Sequence, residues 1–121
     1  MKFNSNFKYD LEVGKVAEQA LADILENKTI EVKRDLKAKT TGNVFVEFES
    51  RGKPSGIATS EADFWCFVLG DRFVLIEADS LKKLVEPLKG TKSERRGGDN
   101  NTSKGVLIKT HNLITTHDTH E

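Results

Sequence analysis

The chain is predicted to fold as one α/β domain with about five strands flanked by two helices. Three observations predict it: a helical apolar stripe near the start, a run of strand-like patterns behind it, and a second helical stripe before one last strand. The length of 121 residues suits one domain with one modest core.

Each element has its own signature. Across residues 10–27, apolar side chains at Val13, Val16, Ala17, Ala20, Leu21, Ile24 and Leu25 recur at helical spacing, with Asp10 as a cap and Asn27 as a stop. Residues 29–35 alternate Ile30 and Val32 against Glu31, Lys33 and Asp35. Residues 43–50 alternate Val44, Val46 and Phe48 against Phe45, Glu47 and Glu49. The polar, basic stretch between them ends in Gly42-Asn43, which predicts a hairpin.

A Gly/Pro/Ser loop spans 51–60. Residues 64–69 are continuously apolar, as in a central strand covered on both faces. Gly70-Asp71 turns into a strand over 72–78, and Ser80 can cap a helix bearing Leu81, Leu84, Val85 and Leu88. Residues 92–104 read as a polar loop, 106–109 as the last strand and the remainder as a tail. The expected flexible ends are 1–9 and 110–121.

Composition excludes several classes. Hydrophobic residues are 36% and charged residues 31%, a balance found in folded chains and not in disordered ones. No apolar run approaches the roughly 18 residues of a membrane span, and the N-terminus lacks the apolar core of a secretory signal. A cytoplasmic location is therefore expected. Cys66, the only cysteine, lies in the most apolar run and reads as a buried, inert thiol. His111, His117 and His120 match no zinc spacing. Lys plus Arg equals Asp plus Glu at 19 each, so net charge does not decide for or against a polyanionic partner.

Distribution is more informative. In a hairpin of 29–35 and 43–50, one face would carry Glu31, Lys33, Asp35, Glu47 and Glu49, with Glu31 and Glu47 roughly opposite. Opposed acids about 5 Å apart at Cβ destabilise a hairpin unless something neutralises them. A hard cation, Mg²⁺ or Mn²⁺, would do so, and carboxylates plus a lysine are the groups needed for metal-assisted phosphodiester hydrolysis. The same alternation also describes a plain solvated face. On the first helix Glu18 and Asp23 occupy the two shoulders of the apolar stripe, so spacing alone does not single out either.

These residues resemble the PD-(D/E)XK nuclease superfamily. Glu31-Val32-Lys33 is similar to its signature tripeptide, Glu18 to its helix glutamate, and Glu61-Ala62-Asp63-Phe64-Trp65 to the start of its later core strand. Gly42-Asn43, Glu47-Phe48-Glu49 and Gly52-Lys53-Pro54-Ser55-Gly56 resemble small phage-type and Holliday-junction-resolvase-like members. The resemblance covers about residues 10–109. It implies a restriction-endonuclease-like mixed central sheet flanked by two helices, and a Mg²⁺-dependent DNA endonuclease, with Mn²⁺ as substitute, acting in DNA repair or recombination.

The family's Pro-Asp is missing here. Either Glu47 takes that aspartate's place beside Glu31 and Lys33, or Asp35 is the aspartate and Glu47-Phe48-Glu49 a variant signature. The resemblance thus implies Glu31, Glu47, Asp35 and Glu18 as metal ligands, and Lys33 as the group that stabilises charge on the phosphate.

DNA would be held through phosphates by Arg34, Lys37, Lys39, Arg51, Lys53 and Ser55 around the hairpin. Lys89, Lys92, Arg95, Arg96 and Lys104, flanking residues 97–103, form a second basic set. Cleavage of both strands would favour a homodimer. A non-catalytic nucleic-acid-binding domain of the same fold is the alternative.

Overall fold

The computed structural model describes residues 7–70 and 72–114, with side chains from residue 15 onward. Asp71, His117, His120 and the side chains of Asp10 and Val13 lie outside the described residues. The structure is mixed α/β, but its strands divide between two sheets instead of filling one.

Helix α1 (Phe7–Leu25) ends where Asn27 turns left-handed at φ 60° and the Lys28 N–H donates to the Leu25 carbonyl. Strand β1 (Ile30–Arg34) follows, then a single helical turn α2 (Ala38–Thr41), then β2 (Asn43–Ser50) and the two-residue β3 (Lys53–Pro54). A 3₁₀ turn covers Gly56–Ala58. Strands β4 (Phe64–Val68) and β5 (Phe73–Glu77) form the expected hairpin, and β5 runs directly into α3 (Ala78–Val85). After a 3₁₀ turn at Glu86–Leu88 come β6 (Glu94–Gly97), β7 (Ser103–Lys109) and α4 (Thr110–Ile114). Among the described residues, no helix is long and apolar enough to cross a membrane.

The first sheet has the order β1-β4-β5, with β1 parallel to β4. The second is antiparallel throughout, in the order β3-β2-β7-β6. The expected pairing of 29–35 with 43–50 is therefore corrected. Asp35 is the reason. One of its carboxylate oxygens accepts the Ala38 N–H at 3.1 Å and starts α2; the other accepts the Phe45 N–H at 3.1 Å. The intervening chain coils into a helical turn closed by Gly42 at φ 78°, and it steps from one sheet to the other. At the opposite end of β1, Thr29 and Asp63 bond each other reciprocally, which aligns β1 beside β4.

Other boundaries also move. Helix α3 begins at Ala78 and not after Ser80, because the Ala78 N–H is taken by the Asp63 carbonyl. The polar stretch 92–104 hides β6, an edge strand whose Glu94-Arg95-Arg96-Gly97 has no apolar alternation to betray it. Strand β7 accordingly starts at Ser103, earlier than expected.

The core lies between the sheets and under α3. Val44, Val46, Val106 and Ile108 come from one sheet, Trp65, Phe67, Val74 and Ile76 from the other, and Leu81 and Val85 from the helix. Ile57, in the 3₁₀ turn, is buried with them. Strand β4 is not covered on both faces as expected. Its second face, with Phe64, Cys66 and Val68, is half-buried, and this is where the thiol sits.

Candidate active site

Strand β1 is inverted relative to the expectation. The register Glu31↔Trp65 and Lys33↔Phe67 puts Glu31 and Lys33 on the face that β4 turns to the core. Ile30 and Val32, expected inside with Val44 and Val46, point outward and are 41% and 62% exposed. Because β1 is an edge strand, its two charged side chains reach the open end of the space between the sheets without being buried.

There Lys33 and Glu31 form an ion pair, Nζ to Oε2 3.3 Å, and the ammonium lies 5.4 Å above the centre of the Trp65 ring. The ring is 2% exposed and is fixed by its indole N–H, which donates to the Ser60 hydroxyl at 3.0 Å. Glu31, Lys33, Gly56, Thr59, Ser60, Glu61 and Trp65 line a cleft of about 460 Å³. An adjoining cleft of about 190 Å³ is lined by Lys33, Phe45, Glu47, Gly56 and Trp65. Glu31 and Glu47 thus belong to one continuous groove, with Lys33 common to both halves, although no hairpin joins their strands.

Glu47 is held with care. It stands opposite Gly105 on β7, and the register slips between Glu47 and Glu49. A bulge at this place re-aims a side chain, and the glycine opposite removes a cross-strand neighbour. The loop behind β2 folds back so that the Ser55 hydroxyl donates to Glu47 Oε2 at 2.7 Å and the Ser55 N–H donates to the Phe48 carbonyl. Gly56 makes that close approach possible: at φ 57°, a Cβ there would stand 2.2 Å from the Glu47 carbonyl oxygen.

Sequence reasoning gave Ser55 to phosphate binding, whereas its hydroxyl is engaged by Glu47. Ser60, Gly56, Thr59 and Glu61 were missed as site residues. The one available signal was the pair of glycines and the serine following the acidic strand at tight-turn spacing.

The remaining acids are elsewhere. Asp35 spends one bond of each oxygen on backbone N–H groups and acts as a staple between β1, α2 and β2. Glu49 pairs with Lys104 at 3.7 Å. Glu18 is exposed on α1, and the structure does not bring it to the groove. Among the described residues, no three side chains of His, Cys, Asp or Glu gather into a metal cage.

The basic residues are dispersed as well. Arg34 is on the outer face of β1, away from Lys33, and Lys37 precedes α2. Lys39 lines a separate cleft of about 360 Å³ with Arg72 and Thr110. Arg51 and Lys53 are exposed in the turn after β2. In the second basic set, Lys89 pairs with Glu86 and lies 4.9 Å from the centre of the Phe48 ring. The Arg95 guanidinium donates to the Lys92 and Glu94 carbonyls.

No family model matches the chain, and no curated protein or solved structure matches it either.

Proposed function

We propose that the groove between β1 and β2 is the active site of a metal-dependent nuclease that hydrolyses DNA phosphodiester bonds. The observation that carries this reading is the convergence of Glu31, Lys33 and Glu47 on one groove from strands of two different sheets. Lys33 pairs with Glu31 and lines the adjoining cleft with Glu47. On this reading the chain is a restriction-endonuclease-like, PD-(D/E)XK-type core whose central sheet is split. What supports it is a helix, α1, ahead of the strands β1 to β5 and a second, α3, ahead of β6 and β7, with the turn α2 and the helix α4 added to that order. Its setting would be cytoplasmic.

The donor set fits Mg²⁺ only in its sparsely liganded form. Mg²⁺ commonly takes one or two carboxylates and completes its shell with water and substrate phosphate. Glu31, Glu47 and Glu61 are the carboxylates that line the groove, and Glu31 and Glu47 are the two beside Lys33. The ion would supply Lewis acidity toward a phosphate oxygen and an acidified water.

The chain does the rest. Lys33, freed from Glu31 when a phosphate enters, stabilises negative charge on the phosphate oxygens. Ser55 and Gly56 keep the Glu47 carboxylate aimed into the groove, and the buried Trp65 closes its floor to water. Phosphate contacts by Arg51 and Lys53, on the loop that carries Ser55, would guide DNA to it.

Plasmid, four-way-junction and single-stranded DNA incubated with Mg²⁺, Mn²⁺ or chelator test the reading. Cleavage is expected with either metal and none with chelator. Glu31→Ala, Lys33→Ala and Glu47→Ala should each lower the rate at least ~100-fold while leaving the fold intact. Full activity in any two of the three sinks the proposal.

The lack of a three-acid cage among the described residues favours one rival: a non-catalytic nucleic-acid-binding domain. That protein would bind DNA equally well with chelator present and with Lys33 replaced.

A further inference from the structure

Among the described residues, two groups of apolar side chains face solvent, one on a helix and one on a sheet. The first is the stripe of α1, where Val16, Leu21 and Ile24 are 68%, 51% and 58% exposed. Among the described residues, α1 packs extensively against no other element. The second is the outer face of the β1-β4-β5 sheet. Ile30, Val32 and Phe73 are 41%, 62% and 71% exposed there, with Cys66 and Leu75 half-buried between them. Isolated exposed apolar side chains are ordinary, but a whole helix stripe and a whole sheet face are not.

The connection between them explains why one chain leaves both open. Only residues 26–29 separate α1 from β1. Asn27 is held left-handed, the Lys28 N–H is tied to Leu25, and Thr29 is bonded to Asp63. A short connector fixed at both ends sets the direction in which the helix leaves and holds it off its own sheet. Constrained short hinges of this kind favour exchange of an element between copies.

We infer that two copies of this chain associate by exchanging α1, each helix covering the outer face of the other copy's β1-β4-β5 sheet. The contact is isologous and closes on itself, so it stops at a dimer. Charge agrees along β1: Glu18 and Asp23 stand on the shoulders of the helix stripe, and Arg34 shares the sheet face with Ile30 and Val32, while Glu77 lies at the far edge of that face on β5.

Area agrees too. A helix of 19 residues is roughly 28 Å long, and three five-residue strands cover roughly 14 by 17 Å. Used twice each, the two surfaces bury on the order of 1,000 Å², the lower bound for a specific interface. The inference is independent of the nuclease reading and survives its failure.

Sedimentation equilibrium of the full chain from about 1 to 100 µM tests it. The mass should rise from 13.5 kDa to twice that value. Val32→Asp and Leu21→Asp change exposed positions, so the monomer still folds, and each should weaken dimerisation about 100-fold or more. Mixing the two variants restores one intact helix–sheet contact, so the mixture should associate more tightly than either variant alone.

A chain that stays monomeric at every concentration overturns the inference. So does a dimer that both substitutions leave unmoved, or a mixture with no gain. A monomer in which α1 and β1 are both protected from hydrogen exchange also overturns it, because the helix then covers its own sheet.

Discussion

Strands β1 and β2 carry nearly the same alternation of apolar and charged residues, yet the structure uses them in opposite senses. In β2 the apolar set Val44, Val46 and Phe48 is buried, in a strand with neighbours on both sides. In β1 the apolar set faces solvent and the charged set shares the core-side face with Trp65. Alternation reveals that a strand has two unlike faces. Which face turns inward is decided by the partner strand and its register, because a shift of one residue exchanges them.

The first experiment to sharpen this contrast compares two phenylalanines on opposite faces of the same sheet. Phe67 is 1% exposed in the core and Phe73 is 71% exposed outside it. Phe67→Ala should cost ~3–5 kcal/mol in urea unfolding, through lost burial and the cavity it leaves. Phe73→Ala should cost less than ~0.5 kcal/mol at dilutions where the chain is monomeric. Equal losses would mean that the outer face is covered within the monomer.

A smaller effect separates two glycines of the loop behind β2. Gly56→Ala meets both a positive φ and the Glu47 carbonyl, and should destabilise by ~2–4 kcal/mol. Gly52→Ala has a positive φ of 79° but nothing within 4 Å, so only the ~1 kcal/mol cost of the left-handed backbone applies. If the two variants melt together, the loop is not clamped on Glu47.

The smallest effect concerns the clamp that sets the register of β1. The Thr29 N–H donates to Asp63 and holds its carboxyl below its ordinary value, with help from the Thr29 hydroxyl and Lys28. A folded-state value below the unfolded one stabilises at pH above the unfolded value and loses that contribution as pH falls through the folded one. Melting temperature followed from about pH 6 to pH 2 should therefore fall less steeply in Asp63→Asn than in the parent. Parallel curves would show that this carboxylate does not help hold β1 against β4.

Much of the fold was legible in the residues. The helix over 10–27, the strand over 43–50 and the β4–β5 hairpin were read nearly in place, because each has a period that local backbone geometry imposes. The α/β class was likewise read correctly. Strand β6 was not legible: an exposed edge strand made of Glu94, Arg95 and Arg96 buries nothing that would leave a period.

The groove was half legible. The hairpin expected to join Glu31, Lys33 and Glu47 does not form; Glu31 and Lys33 form an ion pair, and Glu47 lines a cleft with Lys33. Asp35, chosen with them, proved to be the residue that prevents the hairpin.

By itself, then, the sequence determined most of the extended and helical segments, β6, α2 and α4 apart, and which side chains alternate, since these depend on neighbours a few residues away. Only the tertiary structure decided that β1 pairs with β4, which face of it turns inward, and that α1 leaves its own sheet bare. Those outcomes depend on hydrogen bonds between residues far apart in the chain, Thr29 with Asp63 and Asp35 with Phe45, which no local pattern encodes.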